Sequence, residues 1–201
     1  MIRILAVLLA LGIPLIAQAQ QFPALYKVVG VASDDTLNVR VDPNARSMLI
    51  DRLMPSTSGV EVVRLSENGK WGMISAGETM GWVSMRYMAR IENAAPGKVP
   101  RPMLCNGTEP FWGLGIYPHG AEFNSPEDGR HDLSVLAEAA AWQGYALLLG
   151  EGPATRRTLT IERGYCDDGM SELEYGFRAV LFNQTPGGNS LFFGCCSMDN
   201  R

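Results

Sequence analysis

Glu67-Asn68-Gly69-Lys70-Trp71-Gly72-Met73-Ile74, followed by Gly77-Glu78-Thr79 and then Gly81-Trp82-Val83-Ser84, is the stretch that decides the fold. Asn-Gly is the strongest short-range hairpin signal, because the tight turn matched to strand twist needs positive φ at its central residues. Two strand segments therefore flank Asn68-Gly69, and a second turn leads into a third. Upstream, Tyr26-Lys27-Val28-Val29-Gly30-Val31 and Gly59-Val60-Glu61-Val62-Val63-Arg64-Leu65 carry β-branched residues in period-two alternation. Asp42-Pro43-Asn44 supplies a further turn. Five or six short strands in about 65 residues predict a small barrel.

These residues, taken in order, resemble the bacterial SH3 domains. Leu37-Asn38-Val39-Arg40 is similar to the opening motif and Gly59-Val60-Glu61-Val62 to the middle strand. Gly69 to Ile74, with Gly81 to Ser84 and on to Tyr87-Met88, is similar to the closing hairpin. Val41-Asp42-Pro43 departs from the small-residue turn common at that place, so the loop there differs. The resemblance implies an SH3-like barrel over residues 24–92, of a kind found in exported bacterial proteins and in some cases binding cell-wall peptides. It implies no catalysis. The side chains suited to such binding are Trp71, Trp82 and Tyr87, each with large contact area and a polar tip, helped by Arg40. A barrel this small also needs a tryptophan for its core, and Trp82 is the first choice for that place.

Outward from this module, the N-terminus reads as an export signal. Arg3 precedes the uncharged run Ile4 to Ile16, and Ala17-Gln18-Ala19 is a small-x-small cleavage pattern, so residues 1–19 are expected to be removed. The run is shorter than the roughly 20 apolar residues of a spanning helix and contains Gly12 and Pro14, which argues against a membrane anchor. A periplasmic or secreted protein with no membrane span after cleavage follows. On the other side, Asn93-Ala94-Ala95-Pro96-Gly97-Lys98-Val99-Pro100-Arg101-Pro102 interrupts regular structure with three prolines and a glycine, and reads as a linker over 93–102. The 201 residues, 46% apolar and 19% charged, fit a folded chain, and a net charge of -4 gives no basic footprint for nucleic acid.

Residues 103–201 form a second module with a different chemistry. It holds 13 of the 21 acidic residues and all four cysteines, Cys105, Cys166, Cys195 and Cys196. An even cysteine count in an exported domain predicts disulfides. Pairing adjacent Cys195 with Cys196 is sterically poor, so each neighbour pairs with one of Cys105 and Cys166, in either sense. No Cys-x-x-Cys spacing points to zinc, and no cofactor is indicated. Phe111 to Tyr117, Trp142 to Leu149, Thr158 to Glu162, Tyr175 to Phe182 and Ser190 to Cys196 read as strands. Asp132 to Ala141 places Leu133, Leu136, Ala137 and Ala140 on one helical face behind an Asp N-cap, and predicts one short helix. The fold class is thus mainly all-β, an SH3-like barrel plus a disulfide-stapled, barrel-like domain.

Gly107-Thr108-Glu109-Pro110-Phe111-Trp112, Cys166-Asp167-Asp168-Gly169-Met170-Ser171 and Gly194-Cys195 together resemble an exported bacterial family related to the META-type heat-shock domains. The resemblance implies a compact β-barrel-like fold. It also implies pairing of Cys166 with Cys195, which leaves Cys105 for Cys196. Glu109, Trp112, Asp167, Asp168 and Ser171 form a candidate second surface. Glu109 beside two aromatics suits a general acid if desolvated, with Asp167, Asp168 or Glu172 as second carboxylate or calcium ligand. A structural role for Glu109, accepting backbone N–H groups in a turn while Pro110 fixes entry to the strand, is the stronger expectation, and Asp167, Asp168 and Glu172 lack the alternating oxygen ligands of a recognised calcium loop. His119 and His131 read as loop residues, and no Gly-x-Ser-x-Gly elbow occurs. The sequence therefore points to a non-enzymatic envelope protein binding a cell-wall peptide or an envelope protein. An inhibitor or stress-response module acting on an envelope hydrolase through the second surface, and a carboxylate-based hydrolase, are the alternatives.

Overall fold

The computed structural model describes residues 21–91, 95 and 97–198. The expected export signal, residues 1–19, and linker positions 93, 94 and 96 lie outside the described residues. The first unit contains β1 (Ala24–Val28), β2 (Leu37–Arg40), β3 (Leu49–Leu53), β4 (Ser58–Val62), β5 (Arg64–Leu65), β6 (Trp71–Ala76), β7 (Thr79–Ser84) and β8 (Met88–Arg90). A single 3₁₀ turn, Met85–Tyr87, connects the last two. The strands form two sheets, ordered β4-β1-β8 and β3-β2-β7-β6-β5. Asn68-Gly69 makes the hairpin between β5 and β6: Gly69 has φ of +68°, and the Ser66 N–H donates to the Trp71 carbonyl at 2.9 Å. Alternation decides the core, since Val39, Val60, Val62, Ile74 and Val83 point between the sheets and are fully buried.

The second unit is an eight-stranded closed barrel. Its strands are β9 (Met103–Thr108), β10 (Phe111–Tyr117), β11 (Gly120–Ser125), β12 (Gly129–Ala141), β13 (Gly144–Glu151), β14 (Thr155–Cys166), β15 (Tyr175–Thr185) and β16 (Gly188–Ser197). Each pairs antiparallel with its neighbour in sequence, and β16 returns to β9, so no edge is left to template association. The closing seam is short, pairing Cys195–Ser197 with Asn106, Cys105 and Leu104. Inward-facing Phe123, Phe177, Leu114, Ile116, Leu147, Leu159 and Leu181 fill the interior.

The segment expected to be a short helix is instead strand β12. Alanine favours helix in isolation, but the two neighbouring strands each need a ladder partner for their backbone groups, and that demand overrides propensity. A register shift between Val135 and Ala137 leaves Leu136 exposed on the outside, which is why the apolar spacing looked helical.

The two units are docked against each other. In β1, Ala24, Tyr26 and Val28 enter the core of the first unit, whereas Leu25 belongs to the core of the barrel. One strand thus buries both faces; covering a leucine contributes about 2 kcal/mol. Beside Leu25 in register is Glu61, 3% exposed, whose carboxylate accepts from the Ser197 hydroxyl and the Met198 N–H. Arg64 donates two hydrogen bonds to Glu174, at 2.9 and 3.2 Å. The described end of the proline-rich segment is anchored too. Val99 is buried in the barrel core, its N–H donates to Glu138, and Lys98 and Arg101 form ion pairs with the same carboxylate.

Candidate functional site

The side chains singled out in the first unit are distributed by strand parity. Trp71 lies opposite Ser84, and Met73 opposite Trp82, so Trp71, Met73, Trp82 and Ser84 share the outer face of the β6-β7 pair. Arg40 on β2 is the cross-strand neighbour of Trp82. At the end of this face the 3₁₀ turn brings Tyr87 beside Gly30, which occupies the left-handed region at φ +68°. Arg40, Trp71 and Tyr87 thereby line one groove of about 500 Å³, together with Asp35, Asn38 and Ser84. That volume lies in the range of small-ligand clefts. All three are half-buried, exposing part of each side chain. Arg40 is held from behind by donating from Nη1 to the Ser47 carbonyl at 2.7 Å. The groove combines aromatic surface, one cation at Arg40, one carboxylate at Asp35 and an amide at Asn38.

Trp82 is not brought to this groove. It is 8% exposed, and the Arg64 guanidinium lies 5.0 Å from its ring centroid. The Arg64–Glu174 pair thus lays a cation from the docking contact over this aromatic face. Trp82 is thus buried on the outer face beneath Arg64 and does not enter the core between the two sheets, the place predicted for it from the sequence.

On the barrel, Glu109, Asp167 and Asp168 line a second groove of about 640 Å³, with Glu162, Arg178 and Phe193. Both aspartates are engaged in turn construction. Asp167 accepts from the Gly169 N–H at 2.7 Å. Asp168 accepts from the N–H groups of Met170 and Ser171, from the Ser171 hydroxyl and from the Tyr175 hydroxyl. Burial works to raise the Asp168 pKa, but these donors outweigh it and hold the carboxyl below its ordinary range. Ser171 is thus spent on Asp168. Trp112 is 3% exposed and donates from Nε1 to the Phe193 carbonyl at 3.1 Å, so it is a core residue. Glu109 is exposed at the β9-β10 hairpin. Among the described residues, no group of three or more His, Cys, Asp or Glu side chains is placed to hold a metal ion.

The cysteines form two disulfides, Cys105–Cys196 and Cys166–Cys195. The first pins the inner side of the closing seam, and the second ties the end of β14 to β16. His119 stacks on Tyr117 at 5.7 Å. His131 is part of a cluster that sequence reasoning missed. Its Nδ1 lies 2.9 Å from Glu151, its Nε2 lies 2.9 Å from the Asp128 carbonyl, and the pKa is raised first by the Glu151 hydrogen bond. Arg157, 3% exposed, lies below this pair. The available signal was the pattern Arg157-x-Leu159-x-Ile161-x-Arg163, in which two arginines occupy inward positions of an otherwise apolar strand face.

No family model, no curated protein and no solved structure matches the chain.

Proposed function

We propose that this is an exported, non-enzymatic binding protein of the cell envelope whose groove on the first unit takes a short cell-wall peptide. One observation carries the reading: Arg40, Trp71 and Tyr87, distant in sequence, converge with Asp35 on a single cleft. A peptide with a free carboxylate and a free amine offers partners for both charges, while its backbone lies across the aromatic faces. Export is supported by the two disulfides, which persist in oxidising compartments. The barrel, closed and docked through Leu25 and Glu61, then acts as a rigid mount for the groove.

The test is co-sedimentation of residues 20–201, the expected processed form, with purified peptidoglycan. Trp71→Ala and Glu109→Gln are run in parallel. The reading predicts retention that Trp71→Ala lowers about tenfold, matching 1–2 kcal/mol for an aromatic anchor, and that Glu109→Gln leaves intact. Retention that depends on Glu109 and not on Trp71 would move the site to the barrel.

A further inference from the structure

We propose that the end of the barrel formed by the β11-β12, β13-β14 and β15-β16 turns binds a small organic carboxylate through Arg157 and Asn183. This site is separate from the peptide groove and lies on the other unit. The two residues are direct cross-strand neighbours on β14 and β15, face the barrel interior and are each 3% exposed. Arg157 Nε and Nη1 are buried without a hydrogen-bond partner, and so is Asn183 Oδ1. The Asn183 amide nitrogen lies 3.2 Å from the Ser190 hydroxyl; with O and N exchanged, Oδ1 accepts from that hydroxyl and the unpartnered position becomes an N–H donor, the orientation a bound carboxylate requires. Leaving such polar groups unsatisfied in a desolvated place is costly, and a buried guanidinium calls for an oxygen acceptor.

The opposite end of the same strand supplies an internal control. Arg163 is also inward-facing and also stacks on a core phenylalanine, at 5.1 Å from Phe177, as Arg157 does at 4.4 Å from Phe123. At that end the first unit is docked. Arg163 Nη1 donates to the Pro23 carbonyl at 3.0 Å and Nη2 to the Tyr145 hydroxyl at 2.6 Å, leaving only Nε unpaired. The barrel therefore presents the same device twice: Arg163 has close acceptors for both terminal nitrogens, whereas Arg157 Nη1 has only a long 3.5 Å contact to Glu151. Eight strands enclose an interior of the size that side chains fill or that one small ligand occupies.

The chemistry of the missing acceptor follows from its neighbours. The anion already near Arg157 is Glu151, but Oε2 stands 3.5 Å from Nη1, while Oε1 is committed to His131 at 2.9 Å. Glu151 is 37% exposed and sits at the rim, so a ligand carboxylate displaces its loose contact with Arg157 and leaves its bond to His131. Asn183 and Ser190 offer amide and hydroxyl groups beside the guanidinium. Phe123 beneath it favours a ligand with a flat or aliphatic body.

The experiment is a titration of the folded chain with benzoate, followed by amide NMR shifts. Benzamide serves as the uncharged isostere and sodium chloride as the simple-anion control. The proposal predicts saturable shifts at Leu149, Arg157, Asn183 and Ser190, with benzamide and chloride weaker by about tenfold or more. Arg157→Met is predicted to abolish the binding while keeping or raising the melting temperature, since it removes a buried and poorly paired charge. Asn183→Leu, which keeps Arg157, is predicted to weaken binding about tenfold, and it serves if the arginine variant fails to fold. Absence of saturation at millimolar benzoate, equal binding of benzamide, or binding unchanged in the variants overturns the proposal. Any of these would leave the end of the barrel as a place that holds trapped water only.

Discussion

Replacing Cys105 and Cys196 together by alanine opens the barrel at its weakest seam, and the cost follows from topology. β16 and β9 pair over three positions, Cys195–Ser197 against Leu104–Asn106, whereas β14 and β15 are paired from Arg156 to Cys166. The bridge spans 91 residues, but the Cys166–Cys195 bridge already shortens that path. What the second bridge closes is a loop of roughly 60 residues, which corresponds to about 4 kcal/mol of restricted unfolded chain at 25 °C. The Cys166→Ala/Cys195→Ala pair removes a bridge over 29 residues, worth about 3.6 kcal/mol by the same relation. Alanine avoids placing hydroxyls among core atoms, because Cys105, Cys195 and Cys196 are all at most 1% exposed. Guanidinium denaturation followed by circular dichroism measures both losses, and hydrogen exchange locates them. In the first variant, protection of the Leu104, Asn106 and Ser197 amides should fall before that of β14 and β15. A loss below about 1 kcal/mol, or protection that falls uniformly, would refute the view that this bridge holds the closure.

Three further outcomes follow. Leu25→Ala should cost about 2 to 4 kcal/mol and destabilise the barrel, although Leu25 lies in the first unit, because its side chain is in the barrel core; calorimetry showing only the first unit weakened would contradict the docking. Acid should destabilise the protein through Glu138 and Asp168. Burial works to raise both pKa values, but the donors from Val99, Lys98 and Arg101, and from Ser171, Met170 and Tyr175, hold them below the ordinary range. Their stabilisation is present above the unfolded carboxylate pKa and lost as pH falls through the folded values, so Glu138→Gln should flatten the melting curve's dependence on pH in that window. His131 has the opposite sign: its raised pKa gives stability present below the unfolded histidine value and lost as pH rises through the folded one, and His131→Gln should remove that neutral-pH slope in urea titrations.

The β class was legible because its signals are local. Asn68-Gly69 is a turn wherever strands flank it, and Val60-Glu61-Val62 alternates because one face must be dry. The cysteines announced a stapled module, since adjacent Cys195 and Cys196 must point to opposite faces of a strand. What escaped the reading was non-local. The alanine-rich stretch before Trp142 is strand only because β11 and β13 flank it in space, and nothing within the stretch says so. Docking was signalled faintly by Ala24-Leu25-Tyr26, three consecutive buried residues in a strand, which implies cover on both faces. For the groove, the sequence supplied residue types suited to binding but not parity. Trp71 and Trp82 share a sheet face, yet only Trp71 lies at the groove, because Arg64 covers the other.

The most direct test of the groove is a titration of the folded chain with a peptidoglycan stem peptide, read from assigned backbone and side-chain NMR signals. The account predicts saturable shifts at Trp71, Arg40 and Tyr87, none at Trp82 beyond its neighbours' influence, and loss of saturation in Trp71→Ala with the fold retained. Shifts confined to Glu109, Asp167 and Arg178, or no saturation at millimolar peptide, would contradict it.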